Sequence, residues 1–384
     1  MLYFHLGHKP LISLAEIEKI TGHVPHRESK FLASMSDTPL RENMKEMGSI
    51  TKISEYAGTI DAPASLAKLI GPGLQEVEGK IKIGISLITD DKDLRFPDTL
   101  KIKRILSKDY GLSIRMIDPI GKNRELNSAQ IGKNKLINNP KGREFNLIRQ
   151  EDNSWRVTQT KWIQDYQMLS KIDYERPCAD GKNGMLPPKL AQTMINLSGG
   201  SKHITRFYDP FCGNGTLLLM GQYLNIECAG SDINPDIVKE AETNIQWMIE
   251  QMDGDTKQPQ VSTEDALDRS YAGYSHIISE GYLGKPKKSL PTQEERMQEE
   301  REIHKLYTSF IKQVAQTADK GCKILLCVPC FQVKPGRFAG ITKDILKYAN
   351  ANGLSSMSIS GQTSITYART NQIVGRDIIF LKRS

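Results

Sequence analysis

The segment Ile204-Thr-Arg-Phe-Tyr-Asp-Pro-Phe-Cys-Gly-Asn-Gly-Thr216 decides the fold of the carboxy-terminal half of the chain. It predicts a buried strand at 204–208, a turn that contains glycine, and a helix at 217–224. A second strand is predicted at 226–231, and Asn234 followed by Pro235 is a preferred way to begin the next helix. Further strands are predicted at 260–263, 276–279 and 323–328, and an antiparallel hairpin at 363–369 and 377–381. This alternation is typical of an α/β domain with a mostly parallel, doubly wound sheet.

The turn after the first predicted strand carries an acid and two spaced glycines. Gly213 and Gly215 let the backbone approach a ligand closely, and the Asp209 carboxylate can bind an ammonium group. A dinucleotide site is disfavoured, because Leu218 stands where its third glycine is required. The alternative to a ligand site is an ordinary strand-to-helix turn.

Two more acids follow predicted strands at the edge of the sheet where ligands collect. Asp232, with its neighbour Ile233, ends the second strand about 20 residues after Asp209, where a carboxylate can accept two hydrogen bonds from a ribose diol. A charge favoured by the following helix dipole is its alternative role. Asp265, with its neighbour Ala266, follows the third strand and is a candidate acceptor for an adenine amine.

The loop resembles the first motif of class I methyltransferases that act on exocyclic amines, which reads D-P-F-x-G-x-G-T. The residues that match this motif are Asp209, Pro210, Phe211, Gly213, Gly215 and Thr216. Upstream, Gly184-Met-Leu-Pro-Pro-Lys-Leu-Ala-Gln192 is similar to the segment that lies beside the methionine part of the cofactor in that group. It adds Met185, Leu186 and Pro187 as candidates. The resemblance implies a Rossmann-like fold and S-adenosyl-L-methionine as cofactor.

The fourth strand of that group ends in Asp or Asn, two prolines and an aromatic residue, whereas this chain has Ser279-Glu-Gly-Tyr282. An exocyclic amine is a poor nucleophile, so such enzymes accept its hydrogen bonds, stack on the flipped base and aim the nitrogen at the methyl group. We expect Tyr282 to stack on the base. Glu280, helped by Ser279 or a backbone carbonyl, is expected to accept hydrogen bonds from the amine, with Gly281 between them. The alternative is a packed Tyr282 and a solvated Glu280.

The amino-terminal half is strongly basic in one stretch. Residues 80–149 hold 16 Lys and Arg but 8 Asp and Glu, an excess that is larger than the net charge of +7 for the whole chain. Such a local excess favours a polyanion such as RNA, because neutralised phosphates release counterions. A generic basic surface is the alternative.

Nearly the full chain resembles the THUMP-containing tRNA guanine-N2-methyltransferase family. The similar segments are 2–16, Ser113-Ile-Arg-Met116, Leu126-Asn-Ser-Ala-Gln130 with Lys135, and Trp162 to Pro177. The resemblance implies a ferredoxin-like region at 1–78, a THUMP-like RNA-binding domain at 79–160, a linker at 161–183 and the methyltransferase domain at 184–384. It also implies a tRNA partner.

The remaining signals narrow the function by exclusion. The six scattered cysteines suggest a reducing cytoplasm. Cys327-Val-Pro-Cys330 has the spacing of a redox or zinc site, but its place at the end of an apolar strand favours buried packing. The seven histidines form no spaced cluster that predicts a metal. No apolar run approaches the roughly 20 residues needed to cross a membrane. The altered fourth motif leaves two alternatives open: a tRNA-binding protein that holds the cofactor without transferring methyl groups, and a DNA adenine-N6-methyltransferase.

Overall fold

The computed structural model describes residues 1–36, 38–179, 185–252, 254, 256–285, 287, 289–369 and 372–384. The chain divides into two compact units. Unit 1 comprises Met1–Leu14, His23–Lys45 and Ser49–Gln167, and unit 2 comprises Ala15–Gly22, Glu46–Gly48 and Met168–Ser384.

The described residues up to Tyr174 form strands and helices in mixed order. They are β1 (Leu2–Leu6), α1 (Pro10–Thr21), β2 (His26–Arg27), β3 (Leu32–Met35), β4 (Ile50–Ile60), α2 (Leu66–Ile70), β5 (Lys80–Ile88), α3 (Thr99–Tyr110), β6 (Ser113–Ile117), α4 (Ser128–Lys133), β7 (Gly142–Arg149), β8 (Trp155–Ile163) and α5 (Tyr166–Tyr174). The eight strands form one sheet in the order β2-β3-β1-β4-β8-β7-β5-β6.

The alternating isoleucines of β5 form part of a hydrophobic core of unit 1. Ile81, Ile83 and Ile85 are buried in one cluster with Ile102 and Leu106 of α3. Because side chains alternate between faces of a strand, the spacing of the three isoleucines places them on one face of the sheet. The alternating sequence Lys80-Ile-Lys-Ile-Gly-Ile-Ser-Leu87 predicts this strand, and the amphipathic segment 100–110 predicts the helix.

Strand β4 was not predicted, because it buries a charged residue. Lys52 is 3% exposed, and its Nζ lies 2.8 Å from Oε1 of Glu144, which is completely buried on β7. Ser86 donates a hydrogen bond to the same oxygen. The charged residue of a buried ion pair interrupts the apolar pattern of its strand. A prediction based on hydrophobic periodicity therefore misses the strand.

Unit 2 contains the α/β sheet that the sequence predicted. Its elements after α5 are α6 (Pro188–Ser198), β9 (Arg206–Asp209), α7 (Thr216–Tyr223), β10 (Glu227–Asp232), α8 (Pro235–Gln251), β11 (Gln260–Thr263), β12 (His276–Ser279), α9 (Gln293–Thr317), β13 (Lys323–Lys334), β14 (Arg337–Gly340), α10 (Thr342–Ala351), β15 (Leu354–Ser356), β16 (Ser364–Tyr367) and β17 (Val374–Arg383). Among the described residues the sheet has the order β11-β10-β9-β12-β13-β17-β15, with β14 paired to β13 and β16 to β17.

The sheet of unit 2 is parallel from β11 to β13 and antiparallel from β17 onward. Strands β11, β10, β9, β12 and β13 pair in parallel, whereas β17 is antiparallel to β13, β15 and β16. The predicted Rossmann-like α/β class is therefore confirmed, including the antiparallel carboxy-terminal hairpin. Helix α9 begins at a capping box of Thr292 and Glu295, which the sequence Thr292-Gln-Glu-Glu295 predicts.

The amino-terminal division stays a prediction. Regions 1–78 and 79–160 contribute strands to one continuous sheet of unit 1. The predicted linker at 161–183 contains helix α5, whose Leu169 and Ile172 are buried, and its residues 180–183 lie outside the described part of the chain.

Candidate active site

Parallel pairing brings the candidate residues of unit 2 to one edge of the sheet. Strand β9 lies between β10 and β12, and all three run in the same direction. The chain leaves β9 toward β10 on one side, and β12 returns on the other. Ligands of doubly wound sheets bind at such a switch point, outside the carboxyl ends of the strands.

The loop 209–216 turns sharply from β9 into α7. Gly213 and Gly215 have φ angles of +51° and +90°. A Cβ on Gly213 would meet no atom within 4 Å, so the space beside this residue is open and glycine is favoured there by backbone conformation. Helix α7 begins at Thr216, which presents the positive end of its dipole to the loop.

Asp209 lies at the end of β9 with one oxygen already engaged. Its Oδ1 accepts hydrogen bonds from Ser279 Oγ at 2.6 Å and from the Phe211 amide at 3.2 Å. Burial raises the pKa of Asp209 to about 7, although the Ser279 hydrogen bond opposes this rise. Since the second oxygen accepts no hydrogen bond from a described residue, a bound cation would be its natural partner.

Asp232 ends β10 and closes the loop from the other side. Its Oδ2 accepts from the Gly213 amide at 3.1 Å, and its Oδ1 accepts from the Asn234 amide at 3.0 Å. The neighbouring Ile233 is 69% exposed. An apolar surface and a carboxylate thus lie together at this strand end.

The third strand end supplies the other predicted pair. Asp265 Oδ1 accepts from the Leu267 amide at 2.9 Å. Ala266 is buried, and its carbonyl accepts from the Tyr271 hydroxyl at 2.7 Å. The backbone of this turn is therefore fixed by side chains on both sides.

The upstream segment lies against the same loop. Met185 Sδ accepts a hydrogen bond from Asn214 Nδ2 at 3.2 Å. Leu186 is buried, and Pro187 occupies the N-cap position of α6. Gly184, which was included in the sequence motif, lies outside the described residues. The structure thus brings Met185 into contact with the loop that carries Asp209.

Two residues that the sequence analysis did not identify form hydrogen bonds with the loop 209–216. Arg176, which is 3% exposed, donates from Nη1 to Thr216 Oγ1 at 2.7 Å. Asn244 on α8 donates from Nδ2 to the carbonyl of Asn214 at 2.9 Å and accepts from the amide of Cys178. The only signal for Arg176 was its place in a motif interpreted as linker, and Asn244 had none.

Strand β12 is the fourth strand of the predicted motif, and it ends with a buried side chain, Ser279, followed by the partly exposed Glu280. Ser279 is completely buried, and its hydroxyl bridges Asp209 and the Gly281 amide, which donates to it at 3.0 Å. Arg376, another residue that the sequence did not mark, donates from Nε to Oε1 of Glu280 at 2.5 Å. Ser279 therefore links two strand ends, and Glu280 forms an ion pair with β17.

Tyr282 is the accessible aromatic residue of this strand end. Its side chain belongs to a residue that is 42% exposed, while its carbonyl accepts from the hydroxyl of buried Tyr307 at 3.1 Å. Gly281, with φ at +68°, could not carry a Cβ without meeting that hydroxyl at 2.2 Å. Tyr307 thus fixes the backbone at Gly281 and Tyr282, while the ring of Tyr282 remains accessible for stacking.

The described residues contain no group of three or more His, Cys, Asp or Glu side chains that could hold a metal ion. Within the same residues, none of the helices has the length and apolarity to span a membrane. All six cysteines are free thiols, and Cys327 and Cys330 are buried.

This strand order, with an antiparallel penultimate strand and a glycine loop after β9, defines a class I methyltransferase domain. Residues 176–279 match the UPF0020 family model, described as an RMKL-like methyltransferase domain. The cofactor of this domain is S-adenosylmethionine. The open space at Gly213, the free oxygen of Asp209 and the exposed Ile233 beside a carboxylate suit an amino-acid nucleoside.

Two curated relatives match shorter segments. The tRNA (guanine(10)-N2)-dimethyltransferase of Methanothermobacter thermautotrophicus is 40% identical over 63 residues, or 16% of this chain and 18% of the relative. The enzyme of the same name from Pyrococcus abyssi is 30% identical over 83 residues, or 22% of each chain. The matches therefore span about a fifth of these relatives' length.

A solved structure matches the whole chain. The crystal structure of TrmN from Thermus thermophilus aligns over 100% of both chains with a TM-score of 0.56 and 13% identity. At this identity the likeness supports the fold of the complete chain.

Proposed function

We propose that this chain is a tRNA methyltransferase that transfers a methyl group to the exocyclic N2 amine of a guanosine. One observation carries the proposal: Glu280 and the accessible Tyr282 follow Ser279, whose hydroxyl lies 2.6 Å from Asp209 of the cofactor loop. An acceptor and an aromatic ring are what a flipped base with a poorly nucleophilic amine requires, next to the methyl donor. The names of the two curated relatives support guanine N2 and tRNA as atom and substrate.

The cofactor contacts follow from the chemistry of each strand end. Asp209 would bind the ammonium group through its free oxygen, and Asp232 would accept from the ribose hydroxyls. Asp265 would accept from the adenine amine. The apolar and backbone contacts are assigned to Met185, Leu186, Pro187, Pro210, Phe211, Gly213, Gly215, Thr216, Ile233 and Ala266.

The residues of β12 would then prepare the nucleophile. Tyr282 would stack on the base, and Glu280 would accept hydrogen bonds from the amine, which orients its nitrogen toward the methyl group. When bound, the cofactor would supply an electrophilic methyl group on a sulfur that can leave with the electron pair of the carbon–sulfur bond. The amine nitrogen forms the new bond and releases one proton, for which the Glu280 carboxylate is the nearest proposed acceptor.

Unit 1 would hold the RNA. Lys133, Lys135 and Lys141 are exposed around the end of α4 and the approach to β7, within the basic stretch 80–149. A pocket of about 430 Å³ adjoins them and is lined in part by Arg143 and Lys161. These cations suit phosphates, and the predicted THUMP-like role of 79–160 and the cytoplasmic location are part of this proposal.

The test is nucleoside mass spectrometry of tRNA after incubation with the protein and S-adenosylmethionine. We expect N2-methylguanosine or N2,N2-dimethylguanosine to form. Glu280→Ala should reduce it about 100-fold with unchanged affinity for S-adenosylhomocysteine, as for the loss of a group that acts on the transition state. Glu294→Ala, on the exposed first turn of α9, is the matched control.

Each alternative has its own result in this assay and in a parallel assay with DNA as the substrate. Tight binding of tRNA and cofactor without any methylated nucleoside would indicate a non-catalytic binding protein. Methylation of adenine in DNA, with no modified guanosine in tRNA, would indicate a DNA adenine-N6-methyltransferase. Unchanged turnover of Glu280→Ala would remove Glu280 from the mechanism.

A further inference from the structure

Glu280 is held by a buried cation but is not fully enclosed. Arg376, at 3% side-chain exposure, donates to Oε1, while the Glu280 side chain retains 17% exposure. The other oxygen, Oε2, accepts no hydrogen bond from a described residue. A carboxylate has about four lone-pair sites, so both oxygens keep the capacity to accept from a ligand.

The neighbouring hydroxyl cannot take over this role. Ser279 Oγ donates to Asp209 and accepts from the Gly281 amide, and the residue has no exposed surface. The position that carries an acid or amide in the resembling group is therefore used inside the protein. Acceptor capacity toward a substrate lies one residue later, on Glu280.

A carboxylate at this place distinguishes bases by the atom next to the reactive amine. In guanine the N2 amine lies beside N1–H, so two adjacent donors face outward. In adenine and cytosine the amine lies beside a ring nitrogen that is an acceptor. An ionised carboxylate can only accept hydrogen bonds, so it matches the two donors of guanine. Beside adenine or cytosine it would face the lone pair of the ring nitrogen, which is repulsive.

We propose that Glu280 selects guanine by accepting hydrogen bonds from N1–H and the N2 amine, and that Arg376 is the positioning residue that keeps Glu280 oriented and ionised. The inference rests on the proposed function and adds the origin of its base specificity. It also accounts for the departure from the usual fourth motif, since the pair replaces an acid or amide followed by proline.

The charged groups around Glu280 indicate that Arg376 keeps its carboxylate ionised. The groups that interact electrostatically with it are Arg376 on β17, Asp209 on β9, Tyr307 on α9 and Cys327 on β13. Burial raises the pKa of Glu280, and Arg376 opposes the rise. Burial also raises the pKa of both Tyr307 and Cys327, which keeps them neutral. Without Arg376, Glu280 would face burial and the charge of Asp209 uncompensated.

The first experiment compares two substrates that differ at N1. A synthetic tRNA carries either guanosine or 2-aminopurine riboside at the position modified by the wild-type protein. The wild type should prefer guanosine, because N1 of 2-aminopurine is an acceptor. Glu280→Gln should lower kcat/KM for guanosine about 100-fold and lower it less for 2-aminopurine, since an amide can donate to N1. Glu294→Gln should preserve both values.

The second experiment separates positioning from packing. Arg376→Met keeps much of the side-chain volume and removes the charge, so its rate of methyl transfer should reach half-maximum at higher pH than the wild-type rate. Arg376→Lys should restore most of the wild-type pH profile. Calorimetry with S-adenosylhomocysteine checks that each variant retains its cofactor site. A lower unfolding temperature with an unchanged pH profile would overturn the positioning role.

The outcomes separate this inference from the proposed function. If the wild type forms no N2-methylated guanosine in tRNA, both are overturned. If it does, and Glu280→Gln keeps the wild-type preference for guanosine over 2-aminopurine, the proposed function stands and Glu280 is not the specificity residue.

Discussion

Asp209 shows how a single carboxyl group can make cofactor binding depend on pH. Its pKa is raised to about 7 by burial, against a usual value of 3.8, so it is largely protonated in the ligand-free protein below pH 7. Binding of an ammonium group requires the ionised form. We therefore expect the affinity for S-adenosylhomocysteine, measured by calorimetry, to fall about tenfold per pH unit below pH 7.

Asp209→Asn is the control for this prediction. The variant should bind more weakly at pH 8 and show a flat profile from pH 5.5 to 7. The raised pKa also means that ionisation of Asp209 opposes folding, so the ligand-free wild type should lose stability as pH rises from about 4 to 7, and the variant should not. An equally steep affinity profile in Asp209→Asn would contradict the assignment.

At the residue scale, the sequence reveals the parts of the site that are close together along the chain. Asp209, Gly213 and Gly215 lie within seven residues, and Asp232 follows at a spacing set by one helix and one strand. Tyr307 and Arg376 reach the same strand end from positions 25 and 96 residues beyond their partners. Such partners depend on tertiary packing, for which local spacing carries no signal.

Helix α9 has a function beyond packing, because it holds the chain that follows Tyr282. Glu299 Oε1 accepts from the amide of Lys285 at 3.0 Å, and its Oε2 lies 2.7 Å from Lys287 Nζ. A Cβ on Gly284, where φ is +87°, would meet the same carboxylate at 2.3 Å. The prolines missing from the fourth motif are thus compensated by contacts from a neighbouring helix.

Glu299→Ala should therefore loosen this loop without disturbing the cofactor. We expect faster hydrogen exchange in a peptide that spans residues 281–290 and a loss of about tenfold in kcat/KM for tRNA, since placement of the base affects the reacting geometry. Affinity for S-adenosylhomocysteine should remain unchanged. Glu294→Ala, exposed on the first turn of the same helix, is the matched control, and equal exchange in the two variants would exclude the proposed contact.

At the scale of elements, the predictable ones carry a signal within their own residues. Strands β11 and β12 have the predicted bounds, and the start of α9 is marked by its capping box. Strand β4 is missed because of the buried pair of Lys52 and Glu144. A sequence pattern cannot distinguish an exposed lysine from one that is neutralised by a strand about 90 residues away.

At the scale of the whole chain, the fold match to TrmN extends over both units, whereas the family model covers residues 176–279 alone. The amino-terminal regions 1–78 and 79–160 share one sheet, so their separation into two domains could not be established from the strand and helix pattern. What the sequence does show there is charge. Its excess of cations over 80–149 is the property that a functional test can address.

The exposed Lys133, Lys135 and Lys141 should determine how tightly the protein holds tRNA. Each lysine that neutralises a phosphate releases a condensed counterion on binding, so log Kd depends linearly on log salt concentration. In Lys133→Glu/Lys135→Glu/Lys141→Glu, the slope of that dependence should fall by about 2 to 3, and tRNA binding should weaken regardless of sequence. The affinity for S-adenosylhomocysteine should not change, because none of the three residues contributes to the cofactor site.

The control variant Lys257→Glu/Lys343→Glu/Lys347→Glu introduces the same change in charge outside 80–149. Should both triple variants show equal slopes and equal affinity for tRNA, the effect would reflect net charge rather than a binding surface on unit 1.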